Sequence, residues 1–256
     1  MDQNNQYKSV FLSDIHLGFK GCQSAKLYLF LKNLKCKELY LVGDIVDFWA
    51  MNDNFYWPDT HAKILDRFVD LKKQGVEVKY ISGNHDDPLR DNKILEDLYN
   101  KGEPYHTIIN HLDRLDHCEQ HDYKSEKYGN VLLIHGDQYD SVTSNAKWIS
   151  KLGGLIYDGL IYLNRPLSKR LKAMTKRIVD RASGFHKKVK DECYKGKHSG
   201  LMCGHNHRPE IIKFENHFYL NTGDWIESCS AIVELMDGTI QLIKIDDNNI
   251  VKVAEL

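Results

Sequence analysis

Residues 39–47 read Leu-Tyr-Leu-Val-Gly-Asp-Ile-Val-Asp. The apolar run Leu39 to Val42 predicts a short buried strand, Gly43 breaks it, and Asp44 stands at its C-terminal end. A carboxylate there is costly to bury unless a cation or hydrogen bonds compensate it. A lone Gly-Asp after a strand is more often a turn than a site. Here the arrangement recurs. Val10-Phe-Leu runs into Ser13-Asp14-Ile-His16, and Val76 to Ile81 runs into Gly83-Asn84-His85-Asp86. Val131 to Ile134 runs into His135-Gly136-Asp137, and Leu201-Met-Cys203 runs into Gly204-His205-Asn206-His207. In open α/β sheets the loops beyond the strands' carboxyl ends form the ligand crevice. Such ends bring Asp, Asn and His side chains to one place, which predicts a metal site.

Working outward, the order of elements predicts helices alternating with strands, hence a layered α/β sheet. Ala25 to Leu34 and about Thr60 to Lys73 predict helices, the second with Ile64, Leu65, Phe68 and Leu71 on one face. Phe48 to Pro58 reads as an aromatic loop, Lys93 to Tyr99 as a short helix, and Tyr105 to Tyr128 as irregular strands. After Asn216 the pattern is all strand: His217 to Asn221, Ala231 to Leu235 and Ile240 to Ile245, with a hairpin turn at Asp237-Gly238.

Residues 145–197 differ in composition. They hold 14 Lys/Arg against 4 Asp/Glu, with Leu167, Leu171, Met174, Ile178, Phe185 and Val189 at helical spacing. This predicts a basic helical insertion, either a solvated hairpin packed on itself or a cap over the site for an anionic or lipid-bearing substrate.

The chain of 256 residues suits one α/β domain with an insertion. With 35 basic and 36 acidic residues, it lacks the globally basic surface of a nucleic-acid binder. Its six cysteines show no CxxC spacing, no signal peptide is visible, and no apolar run reaches membrane-spanning length. These features predict a cytoplasmic protein. They carry no signal for an oligomeric state.

The donor types set the chemistry. Asp14, His16, Asp44, Asn84, His135, His205 and His207 offer O and N donors without thiolates, which suits Mn, Fe, Zn, Co or Mg. Seven ligands are too many for one ion, and two ions sharing Asp44 divide them sensibly. Such pairs polarise phosphoryl oxygens and acidify a bound water. His85, beside Asn84, is then placed to protonate a leaving oxygen or to stabilise developing charge. Asp47, Asp86 and Asp137 either orient neighbouring ligands or cap strand ends. Trp49, Trp57 and Trp225 read as core aromatics, or else as lining of an entrance. His117, Cys118 and His121 lack the second half of a zinc motif. Asp140, Asn145, Lys147 and Arg165 are candidate substrate contacts by position alone.

In this order DIH, GDIVD, GNHD, HGD and GHNH resemble the five-motif signature of calcineurin-type metallophosphoesterases, from about Val10 to Leu235. The resemblance implies two packed mixed β-sheets flanked by helices, a four-layer αββα sandwich. It also implies a first ion on Asp14, His16, Asp44 and His207 and a second on Asp44, Asn84, His135 and His205, with Mn the first expectation. GHNHRP, DIHLG, YWP, NTGDWIES and the place of the insertion resemble the UDP-2,3-diacylglucosamine diphosphatase group of lipid A synthesis. The best-established branch of that group has Arg where this chain has His85, so the chain resembles a sister branch with GNHD.

The resemblance implies cleavage of a nucleotide-sugar lipid to UMP and a lipid phosphate, in peripheral contact with the inner-membrane surface. The alternatives are another phosphoester (a cyclic nucleotide, a phosphoprotein or DNA) and a metal-free binding scaffold.

Overall fold

The computed structural model describes residues 6–139, 185–196, 198–246 and 249–256. The chain divides into two compact units, residues 1–136 with 197–256, and residues 137–196.

The first unit begins with β1 (Gln6–Leu12), α1 (Ser24–Asn33), β2 (Lys35–Val42), α2 (Phe48–Asp53), α3 (Asp59–Lys73) and β3 (Glu77–Ile81). Then come α4 (Asn92–Tyr99), α5 (Tyr105–Leu112), β4 (Asp116–Cys118), β5 (Gln120–Ser125) and β6 (Gly129–Ile134). After the second unit follow β7 (Gly200–Cys203), β8 (Glu210–Phe214), β9 (His217–Asn221), β10 (Ser230–Leu235), β11 (Ile240–Asp246) and β12 (Asn249–Glu255). They form a seven-stranded sheet, order β12-β11-β10-β1-β2-β3-β4, and a five-stranded sheet, order β5-β6-β7-β9-β8. Both sheets are mixed: β1, β2, β3 and β4 run parallel and β1 pairs antiparallel with β10, while β6, β7 and β9 run parallel between antiparallel β5 and β8.

Two apolar layers follow from the alternation of side chains along the strands. Val10, Leu12, Leu39, Leu41, Val78 and Tyr80 share one core with Leu27 and Leu31 of α1, Ile64, Leu65 and Phe68 of α3, and Ile108 and Leu112 of α5. The residues between them, Phe11, Tyr40, Val42 and Ile81, face Tyr123, Val131, Leu133, Met202 and Leu220 of the second sheet. Phe11 stacks on Tyr40 at 5.0 Å between ring centroids and meets Tyr123 edge-on at 4.9 Å. Strands buried on both faces read as continuous apolar runs, which is why β1 and β2 lack polar alternation at their C-terminal halves. The architecture is the expected one of two mixed sheets with helices outside.

Two local expectations are corrected. Phe48–Asp53 is a helix rather than loop, because the Asp47 carboxylate accepts the Ala50 N–H and caps it. Tyr105–Leu112 is a helix rather than strand: Tyr105, Ile108, Ile109 and Leu112 fall at i, i+3, i+4 and i+7 and are buried together. The strand β8 and the edge strand β12 complete the sheets beyond what the sequence pattern indicated.

In the second unit Asp137–Tyr139 forms a single 3₁₀ turn and Phe185–Lys195 forms α6. Lys188 Nζ donates to the Tyr139 carbonyl at 3.0 Å. The expected helical insertion therefore falls largely on residues 140–184, outside the described residues, as do Asp140, Asn145, Lys147 and Arg165.

One buried histidine stands apart from the strand ends. His61 of α3 accepts the Gly18 N–H at Nδ1 over 3.0 Å, and burial pushes its imidazole down to about 4. An unfolded histidine titrates near 6.5. The folded value is the lower one, so as pH falls the unfolded chain takes up the proton first. Stability contributed by neutral His61 is thus present above about pH 6.5 and lost between there and about pH 4. Urea unfolding should show the advantage of wild type over His61→Gln shrinking by about 1–3 kcal/mol from about pH 7.5 to about pH 4.5. Other titrating groups are common to both proteins and cancel. A pH-independent difference would contradict a neutral buried acceptor.

Candidate metal centre

The parallel strands of both sheets point their carboxyl ends to one edge of the sandwich. Backbone bonds continue past the strands and tie the loops together. Asp14 N donates to Gly43 O at 3.0 Å, His16 N to Asp44 O at 2.9 Å, Gly204 N to His135 O at 3.1 Å and Trp225 N to Asp14 O at 3.0 Å. The approach leaves no room for side chains at two glycines: a Cβ on Gly83 would collide with the Asp44 carboxylate, and one on Gly204 with that of Asp14. Asp14, His16, Asp44, His205 and His207 all adopt positive φ, between 49° and 65°. Left-handed backbone costs an L-residue about 1–2 kcal/mol, so five such residues mark a place where side-chain aim outranks local stability.

Two clusters of predicted ligands result, beside a third group of His16, Asp47 and His85. Asp14, His16 and His207 form one, and Asp44, His135 and His205 the other; within each, one ligand atom per residue lies within 4.8 Å of the others. His207 Nε2 is 3.1 Å from Asp14 Oδ1, and His16 Nε2 is 3.3 Å from His207 Nε2. His135 Nε2 is 3.1 Å from Asp44 Oδ2, while its Nδ1 faces the Val42 carbonyl at 3.1 Å. Asp44 Oδ2 also lies 3.9 Å from His16 Nε2, so this carboxylate reaches toward both clusters. Asn84 Oδ1 is buried and has no hydrogen-bond partner among the described residues, as expected of an amide oxygen reserved for a cation. Carboxylate, imidazole and amide donors in this arrangement fit a dinuclear site for divalent ions.

Asp47 links the clusters to His85. Its Oδ2 is 2.9 Å from His16 Nδ1 and its Oδ1 2.8 Å from His85 Nδ1. Two imidazoles anchored through Nδ1 on one carboxylate keep Nε2 for the site. The His85 N–H donates to Asp44 Oδ1 at 2.8 Å. Burial would raise the Asp44 carboxyl, but the charges of His135, His16 and His85 hold it well below the usual range. Burial likewise opposes, and His207 and His135 outweigh, in lowering Asp14 to about 2. For His16, burial pulls downward, while the Asp47 hydrogen bond and the charges of Asp44, Asp14 and Asp47 lift it to about 9. The ligand carboxylates are therefore ionised at neutral pH.

Asp86 resolves differently. It accepts N–H groups of Ile45, Val46 and Gly83 and the Tyr80 hydroxyl, so it fixes the loops and does not touch a cluster histidine. Asp137 lies in the second unit. Trp49 is 42% exposed and packs on His85, whereas Trp225 is fully buried and Trp57 packs against the core. No metal-binding group among the described residues includes His117, Cys118 or His121.

At a sixth strand end, within NTGDWIES, Asp224 joins the site without having been predicted as a site residue. β9 ends at Asn221 and runs into Thr222-Gly223-Asp224, with Asp224 Oδ2 3.7 Å from His207 Nδ1. Asp224 Oδ1 accepts the N–H groups of Ile226, Glu227 and Ser228, and Ser13 Oγ bonds both Asp14 and Thr222. The signal was present, an apolar run followed by Thr-Gly-Asp, but without a histidine to mark it.

The chain is similar to known proteins over most of their length. A UDP-2,3-diacylglucosamine hydrolase of Aeromonas hydrophila is 26% identical over 245 residues, covering 88% of this chain and 93% of that protein. One from Haemophilus influenzae strain PittGG is 25% identical over 252 residues, covering 89% and 94%. Among solved structures, Yfce, a phosphoesterase from E. coli, superposes with a TM-score of 0.49 at 16% identity, covering 97% of each chain. The calcineurin-like phosphoesterase family matches residues 7–209, a span that begins in β1 and takes in all five strand-end motifs with both His/Asp clusters. This chain belongs to that family of metal-dependent phosphoesterases.

Proposed function

We propose that the protein hydrolyses the pyrophosphate of UDP-2,3-diacylglucosamine, releasing UMP and 2,3-diacylglucosamine 1-phosphate. The observation that carries this reading is the near full-length similarity to proteins named for that substrate, across a chain whose His/Asp clusters are complete. Asp14, His16, Asp44 and His207 would hold one ion, and Asp44, Asn84, His135 and His205 the other, with Mn the favoured metal. When bound, the two ions neutralise charge on the phosphoryl oxygens and acidify a water. The chain itself supplies orientation and a proton. Asp47 fixes His85 through Nδ1, leaving Nε2 to donate to the leaving sugar-phosphate oxygen.

The basic, amphipathic residues 145–197 supply the lipid side of the proposal: their apolar stripe would hold acyl chains and their charge would rest on an anionic bilayer. No described helix is long and apolar enough to cross a membrane. Each methylene buried contributes about 0.8 kcal/mol, so chain length should dominate recognition. The test compares kcat/KM for UDP-glucosamine derivatives bearing two long chains, two short chains or none. The expected result is a steep preference for long chains, weakened by polar substitution at Leu171, Met174 or Ile178. Indifference to chain length would remove the lipid substrate and favour a soluble phosphodiester, a reading that His85 in place of arginine also supports.

A further inference from the structure

The indole of Trp49 lies on the face of His85, ring centroids 4.4 Å apart and planes 35° from parallel. Its Nε1–H donates to Asp87 Oδ1 at 3.1 Å. Trp49 is the second residue of α2, and Asp87 follows His85 by two positions, so the indole bridges α2 to the histidine and to the residue two positions after it. A tryptophan this exposed gives up hydrophobic burial, and at 42% exposure it contributes little to the core. What it does contact is one catalytic candidate and that residue's own loop.

His85 has few other restraints. Asp47 holds it at Nδ1 over 2.8 Å, which fixes the tautomer and leaves the ring free to swing about that bond. The edge of His16, with ring centroids 4.7 Å away and planes at 82°, limits motion in one direction. The Trp49 face closes another. Proton transfer demands that Nε2 meet the leaving oxygen within hydrogen-bond reach, and a displacement of about 1 Å can cost about 100-fold.

Building on the reading of His85 as the proton donor, we infer that Trp49 is a positioning residue. It holds the His85 ring in its working orientation and does not itself bind substrate. Its pairing with Asp87 sets the position of the indole, and the indole sets that of the imidazole.

The experiment is a double-substitution cycle on full-length, metal-loaded protein, using an alkyl phosphodiester of UMP, whose alkoxide leaving group needs a proton, as the probe. Trp49→Ala should lower kcat by about 10- to 100-fold with KM changed less than about twofold. Trp49→Phe, which keeps a ring on the histidine, should restore most of the rate. Asp87→Ala should give a smaller loss in the same direction, and it decides the question if Trp49→Ala does not fold. In a His85→Ala background, Trp49→Ala should cost nothing further, because a residue acting through His85 has nothing left to position. An undiminished additional loss in that background, or a rise in KM at constant kcat, would make the indole a substrate contact and overturn the proposal. So would unchanged kinetics of Trp49→Ala, or loss of bound metal. His85→Ala alone with wild-type turnover would instead overturn the proton-donor reading, independently of Trp49.

Discussion

Replacing Asp44 by alanine is expected to abolish turnover and to lower cation occupancy at both positions of the site. The Asp44 carboxylate is the one that reaches both clusters, 3.1 Å from His135 Nε2 and 3.9 Å from His16 Nε2. Its other oxygen accepts the His85 N–H at 2.8 Å, so the same side chain also seats the loop that carries Asn84 and His85. Removing it takes away a buried negative charge that lies among the imidazoles of His135, His16 and His85. Two ions held in proximity repel each other, and a shared carboxylate offsets that repulsion; without it neither is held well. Metal analysis of purified wild type should find up to two divalent ions per chain, and of Asp44→Ala well under one. Asp14→Ala is the informative comparison, because Asp14 Oδ1 lies 3.1 Å from His207 Nε2 and 4.0 Å from His16 Nε2, in the first cluster. It should empty mainly one position. Full metal and activity in Asp44→Ala would refute the shared-ligand assignment. Equal metal loss in the two variants would show that the clusters do not act as two positions.

The second large effect is at His85. His85→Ala should keep its metals, because Asp44, His135 and His205 remain clustered without it. It should lose about 10²–10⁴ in rate on a substrate whose leaving oxygen needs a proton. On bis(p-nitrophenyl) phosphate, whose leaving group departs as a stable anion, the loss should be far smaller. That contrast separates proton donation from charge stabilisation, since a residue that only stabilises the phosphoryl oxygens would slow both substrates alike. Equal rates for variant and wild type on both substrates would remove His85 from the chemistry.

Much of this site is legible along the chain. An apolar run ending in Gly-Asp or His predicts a strand whose carboxyl end carries a polar side chain, and five such ends in one α/β chain have a common edge to share. Asp14, His16, Asp44, His135, His205 and His207 all lie where that argument puts them, and in two groups. The misread elements have a physical explanation. In Tyr105–Leu112 the four apolar residues carry the helical period, yet Tyr, Thr and Ile are also strand formers, and propensity suggested the wrong element. Phe48–Asp53 becomes a helix because of a cap from Asp47, one residue outside it.

Side-chain partnerships are another matter. That Asp47 serves His16 and His85 at once depends on the loops after β1, β2 and β3 meeting at 2.8–2.9 Å, and nothing along the chain encodes a distance between residues 16, 47 and 85. Asp86, with the same standing in the sequence as Asp47, turns out to bind backbone and Tyr80. Asp224 joins His207 only because β9 lies beside β7 in the second sheet. Local hydrophobic period and chemical identity were enough to specify the donor types, their placement at strand ends and the layered class. Which carboxylate faces which imidazole was decided by the packing of two sheets through Phe11, Tyr40, Tyr123 and Leu133. That packing is a long-range contact, and it brings together strand ends that are more than a hundred residues apart in the chain.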